Sequence, residues 1–144
     1  MRMKEYKFNS RVNSYYRTAL EKLFYYNPRQ IYHINAIEDM VEQYGTPLIA
    51  ERDGYLEMRT KNCPESRSLF ISLGPVLTGV LIYYQNSPAN IHIIHIAIDN
   101  EYLNSDMISF LKKCVRHVNI PSVKSFTIGY LDSKHNNKIY NNIN

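Results

Sequence analysis

Apolar and polar positions change their spacing along the chain, and the changes mark out elements. Val12, Tyr15, Tyr16, Ala19, Leu20 and Leu23 recur at helical spacing, with Asn9 or Ser10 placed to cap the first turn. Pro28 suits the first turn of a second helix capped by Asn27. Ile31, Ile34, Ile37, Val41 and Tyr44 line its apolar face, and Gly45 stops it. Residues 1–45 are therefore expected to be an antiparallel helical pair.

The spacing then shortens to that of strands. Leu48–Arg52 and Tyr55–Arg59 flank Asp53-Gly54, a strong hairpin signal, and Ser68–Leu73 and Val76–Tyr84 flank Gly74-Pro75. Ile91–Ile98 is β-branched almost throughout and reads as a central strand buried on both faces. A helix follows over roughly 104–118, burying Met107, Ile108, Leu111, Cys114, Val115 and Val118 while Lys112, Lys113 and Arg116 meet water. Val123–Tyr130 reads as a last strand, and residues 131–144 as a polar tail, either a short helix or a loose end. This order predicts one α+β domain over 1–144. Its sheet, over 46–130, is mixed and mostly antiparallel, preceded by two helices, with one crossover helix between parallel strands.

Composition narrows the class. The chain has 144 residues, 44% apolar and 21% charged, ordinary values for a single globular domain. The longest apolar run is interrupted by His92 and His95, which excludes a membrane span of about 18 residues. The start of the chain lacks an apolar signal segment, so a soluble, cytoplasmic protein is expected. Cys63 and Cys114 have neither the number for a disulfide framework nor the spacing for zinc, and no metal is expected.

Charge is uneven. The net +4 rises from a basic stretch at 1–30 and another at 101–144, on either side of an acidic 31–60. Tyr15, Tyr16, Tyr25 and Tyr26 in the basic N-terminal stretch are the combination that binds nucleic acid by phosphate contacts and stacking. The modest net charge and the lack of any long basic run make this the least favoured reading.

Four side chains are candidates for proton chemistry. His92 and His95 point to opposite faces of a regular strand unless a bulge intervenes, which argues against a metal pair. Whichever histidine lies on the active face qualifies as a general base, and His95 is taken as the candidate. Glu51 and Glu57, across the Asp53-Gly54 hairpin, are placed to share a face, and either qualifies as the base for an amine, with Glu57 taken as the candidate. Cys114 falls on an apolar stripe and reads as core, while Cys63 is expected on an exposed loop.

The element order and the segment Leu77–Tyr130 resemble the GNAT superfamily of acyl-CoA N-acyltransferases, over about two thirds of the chain. The likeness is best at 91–118, where Ile98-Asp99-Asn100-Glu101-Tyr102 is similar to the family's V-D-P-E-Y turn. Upstream, Ile49–Gly54 and then Thr78-Gly79-Val80-Leu81 are similar to its early strands. The resemblance implies acetyl-CoA as cofactor and an amine as acceptor, with backbone groups near Ile96 and Ile98 meeting the pantetheine arm. It also implies a phosphate loop of pattern R/Q-x-x-G-x-G/A over Leu103, Asn104, Ser105, Asp106, Met107 and Ile108.

The loop departs from that pattern at Leu103, Asp106 and Ile108. Glycine allows the backbone to approach the phosphates, and Asp106 instead sets a carboxylate there. The same carboxylate would complement the helix dipole. Tyr140 aligns with the tyrosine that protonates the departing thiolate, although Ser133 and Asn136 replace the residues usual before it. The resemblance thus implies an N-acyltransferase. The alternative is a GNAT-like domain without catalysis that meets a protein partner.

Overall fold

The β-branched run from Ile91 to Ile98 becomes the fourth strand of a six-stranded sheet. The computed structural model describes residues 5–25, 36–99, 106–128 and 138–141. Its elements are β1 (Tyr6–Asn9), β2 (Val12–Asn13), a 3-10 turn (Ser14–Tyr16), α1 (Arg17–Tyr25), α2 (Ala36–Tyr44), β3 (Pro47–Arg52), β4 (Tyr55–Thr60), β5 (Arg67–Leu73), β6 (Val76–Ser87), β7 (Asn90–Ile98), α3 (Met107–Val118), β8 (Ser125–Ile128) and β9 (Lys138–Asn141). The larger sheet has the order β1-β5-β6-β7-β8-β9, and the smaller β2-β4-β3. All the described pairings are antiparallel except β7 with β8, which α3 joins as a crossover. The architecture is α+β, with a mixed, mostly antiparallel sheet.

Two apolar layers sandwich the larger sheet. On one face Phe110, Leu111, Cys114 and Val115 of α3 pack on Ile91, Ile93, Ile96 and Ile98. On the other, Leu20, Leu23 and Phe24 of α1 and Met40 of α2 cover Val80, Ile82, Ile94 and Ala97. The smaller sheet adds Leu56 and Met58 to this second layer.

The turns follow their residues. Asp53 (φ 53°) and Gly54 (φ 81°) both take the left-handed region that a two-residue hairpin with the sheet's own twist demands. Gly45 (φ 85°) ends α2, and a Cβ there would lie 2.8 Å from the Asn62 side chain.

The N-terminal third differs from expectation. Residues 6–9 form β1, and 12–13 form β2, before α1 begins at Arg17. Tyr6 and Phe8 alternate with exposed Lys7 and Asn9 and pair with β5, so a period of two overrides the helical spacing at this end. The Asn13 side chain accepts from Tyr15 N–H at 2.8 Å and starts the 3-10 turn, which turns Tyr15 outward to 86% exposure. The first half of the expected second helix, with Pro28, Ile31 and Ile34, lies outside the described residues. In the expected polar tail, Lys138–Asn141 is a strand, because β8 offers it an edge to pair with.

Candidate functional site

The chemistry-bearing residues of β7 are arranged by a bulge. Ile82 pairs with His95 but Tyr83 pairs with Ile93, so Ile94 is an extra residue on β7. The alternation of side chains therefore slips. Ile91 and Ile93 face α3, Ile94 faces the α1/α2 layer, and Ile96 faces α3 again. His95 packs at a ring-centroid distance of 5.0 Å on Phe24, a residue of that same α1/α2 layer. The bulge on which the expectation was conditional is present, and it removes the argument that the histidines point apart.

Their environments differ. His95 is fully buried, and loss of hydration pushes its pKa down to about 3, so the ring stays neutral at ordinary pH. Such a ring is a poor proton acceptor, and it serves here as packing against Phe24. His92 is also buried, with a pKa lowered by the same cause, but its Nδ1 shares a 2.6 Å hydrogen bond with Thr127 Oγ1 of β8. Tyr84 lies edge-on to the His92 ring at 5.7 Å and Tyr44 tilts over it at 6.2 Å. The Tyr44 phenol is pushed up to about 12, first by burial and then by Tyr84 beside it. Sequence reasoning missed this Tyr44–Tyr84–His92–Thr127 group. Its members come from four elements: β6 pairs Tyr84 with His92, β8 pairs Thr127 with His92, and α2 lays Tyr44 over them.

The described parallel register of β7 with β8 runs from Asn90–Ser125 to Ile93–Ile128. The bulge follows at once, and β7 continues through Ile96 to Ile98. Beyond it, α3 begins with Asp106 as N-cap. One carboxylate oxygen accepts from Ser109 N–H at 2.9 Å and the other from Ser109 Oγ–H at 2.8 Å. These bonds, backbone first, hold the Asp106 carboxyl below its ordinary pKa. Met107 and Ile108 are half-buried in the first turn, while Leu103, Asn104 and Ser105 lie outside the described residues. At this helix end the Asp106 carboxylate holds the Ser109 N–H that an anion would otherwise use.

The remaining candidates are separated. Glu57 belongs to the smaller sheet, opposite Ala50, and pairs with Arg59 at 3.4 Å. Glu51 stands one register position away, opposite Leu56, so the two carboxylates point to opposite faces rather than sharing one. Tyr140 lies on β9 opposite Phe126, on a strand rather than a helix. Cys63, expected on an exposed loop, is buried; its N–H donates to Thr60 at 3.2 Å, and burial raises its thiol pKa. Cys114 is core as expected. Among the described residues no cluster of His, Cys, Asp or Glu could hold a metal ion, and no helix is long and apolar enough to cross a membrane.

No protein-family model and no curated protein matches the sequence. Among solved structures the chain is similar to nourseothricin acetyltransferase, at 11% identity and a TM-score of 0.32, over 74% of this chain and 76% of that one. So loose a likeness assigns no chemistry to the residues above.

Proposed function

We propose that the chain is a GNAT-type acyltransferase scaffold whose ligand groove lies at the carboxyl end of β7. The observation that supports this is the bulge near the carboxyl end of that strand. In its pairing with β6 the strand carries Ile94 as an extra residue, and it then runs on to Ile98 ahead of the crossover to α3. In sheets with parallel strands, ligands bind outside the carboxyl ends, beside the N-terminus of the crossover helix. On this reading the backbone of Ile96 and Ile98 holds the arm of an acyl thioester, and an amine is the acceptor. Acetyl-CoA would supply the activated carbonyl. Tyr140, in register with Phe126 and through it with Ile91, stands at the amino end of β7 and takes no part in this groove.

A second reading has its own observation. Asp106 spends both oxygens on the α3 N-terminus, which favours a scaffold that has exchanged cofactor binding for contact with a protein.

One experiment separates the two. Acetyl-CoA and CoA are titrated against thermal unfolding of the native protein and of Asp106→Gly, since a ligand that binds only the folded state raises its stability. A saturable rise for the native protein supports the acyltransferase. A rise in Asp106→Gly alone supports the self-capped scaffold. No rise in either removes the acyl-CoA reading.

A further inference from the structure

Two clefts adjoin along β4 and share Glu57. The inner one, of about 120 Å³, is lined by Ser10, Arg59, Arg67 and Tyr83 among others. The outer one, of about 270 Å³, is lined by Arg11, Arg52, Asp53 and Tyr55. The inner cleft exists because the two sheets fail to merge where β4 approaches the start of β5. Met58 N–H donates to Ser68 Oγ at 3.0 Å and Thr60 N–H to Ser66 Oγ at 2.9 Å, so serine hydroxyls replace a neighbouring strand along the β4 edge. Those hydroxyls donate onward, Ser68 to the Ser10 carbonyl at 3.4 Å and Ser66 to the Cys63 carbonyl at 2.6 Å. The wall is buried and fully hydrogen-bonded, which fixes the side chains that flank it.

Four guanidiniums line this seam against two carboxylates. Arg59 pairs with Glu57 at 3.4 Å, and Arg52 with Asp53 at 3.7 Å. Arg11 instead lies over the Tyr55 ring, 4.4 Å from its centroid. Arg67 stands opposite Tyr83 across the β5–β6 ladder and near enough to counter the effect of burial on its phenol. Among the described residues neither Arg11 nor Arg67 has a carboxylate partner, and the described lining of the seam holds two more guanidiniums than carboxylates. Tyr55, 40% exposed, offers a ring face beside them.

We infer that this seam binds a small phosphate-bearing anion, with Arg67, Arg59 and the Tyr83 hydroxyl around the phosphate and Arg11 and Tyr55 against the rest of the molecule. An excess of two guanidiniums matches a phosphate dianion. The planar guanidinium fork matches its oxygens, and Arg together with Tyr accepts a planar substituent by stacking. A neutral ligand gains nothing from this arrangement. The site is separate from the α3 N-terminus and does not rest on the acyltransferase reading.

The test is calorimetric titration at low ionic strength with inorganic phosphate, AMP and adenosine. The proteins are the native chain and Arg67→Gln, Glu57→Gln and Asp106→Gly. Saturable binding of AMP is expected, with Arg67→Gln weakening it about tenfold or more, because a hydrogen bond to a charged group is lost. Glu57→Gln is expected to tighten it by removing the nearest negative charge. Adenosine should be silent, and Asp106→Gly should bind AMP as the native protein does. Binding of phosphate as tightly as AMP supports a site for the free ion, and tighter binding of AMP supports an ester. The inference is overturned if neither phosphate nor AMP binds, or if Arg67→Gln binds as the native protein does. Tighter binding in Asp106→Gly than in the native protein also overturns it, since the anion then sits at α3. Arg67→Gln and Glu57→Gln change side chains that reach solvent, so their unchanged melting temperatures without ligand confirm that folding is not the variable, and Asp106→Gly, which loses its helix cap, is titrated well below its own transition.

Discussion

The Phe24 ring of α1 lies 5.0 Å from the His95 ring of β7, and both side chains are fully buried. The contact ties a helix to the bulged strand and keeps an ionisable ring out of water. The folded pKa of His95 is about 3 against an ordinary value of 6.5. A ring held neutral in the fold but free to protonate in the unfolded chain stabilises the fold fully above the ordinary value. Stability is lost as pH falls from 6.5 toward about 3, at up to about 1.4 kcal/mol per pH unit. His92, lowered by burial too, acts in the same direction. Urea unfolding from pH 7 to pH 4 should show this decline, and His95→Phe should flatten it. An unchanged slope in His95→Phe would show that His95 is not the source.

Phe24 itself is predicted to be one of the most sensitive positions. Phe24→Ala leaves a cavity in a layer with no exposed residue to collapse into it, at a cost of about 3–5 kcal/mol. Equilibrium denaturation reads this directly.

Asp106 is predicted to matter to stability irrespective of any ligand. Asp106→Ala removes both bonds to Ser109 and should cost about 1 kcal/mol, whereas Asp106→Asn, which still accepts from the Ser109 N–H, should cost less. Equal losses in the two variants would show that charge, rather than the cap, carries the effect.

Gly45 and Gly54 share a positive φ but differ in surroundings. Gly54 has nothing within 4 Å of an added Cβ, while Gly45 has the Asn62 side chain at 2.8 Å. Gly54→Ala should therefore cost about 1 kcal/mol from backbone strain, and Gly45→Ala clearly more. Thermal melts of the two variants under one condition test the order.

Thr127→Val removes the partner of His92 Nδ1 and keeps the shape of the side chain. Leaving that buried nitrogen unsatisfied should cost about 1–3 kcal/mol. Restoration by Ser at this position would tie the loss to the hydroxyl rather than to packing.

Much of the middle of the chain is legible without coordinates. The Asp53-Gly54 hairpin, the strands around Gly74, the buried run Ile91–Ile98 and the stripe of α3 each announce themselves within a few residues, because turn chemistry and periodicity are local. Asp106 belongs to the same class: a residue that caps a helix does so through its immediate neighbours.

Four features were decided elsewhere. Tyr6–Asn9 is a strand because β5 lies open beside it, not because its own residues exclude a helix. Glu51 and Glu57 face apart because the hairpin register sets Ala50, rather than Glu51, opposite Glu57. The arginines of the β4 seam come together only where two sheets meet without merging. His95 turns toward Phe24 because Ile94 is extruded between two strands whose lengths of pairing do not match, and no local signal in IHIIHIAI marks that residue. The sequence by itself determined which segments are apolar, where they turn and how the crossover helix is capped. Register, bulge and the pairing of distant edges arise from contacts between residues far apart in the chain, and those the tertiary structure alone decided.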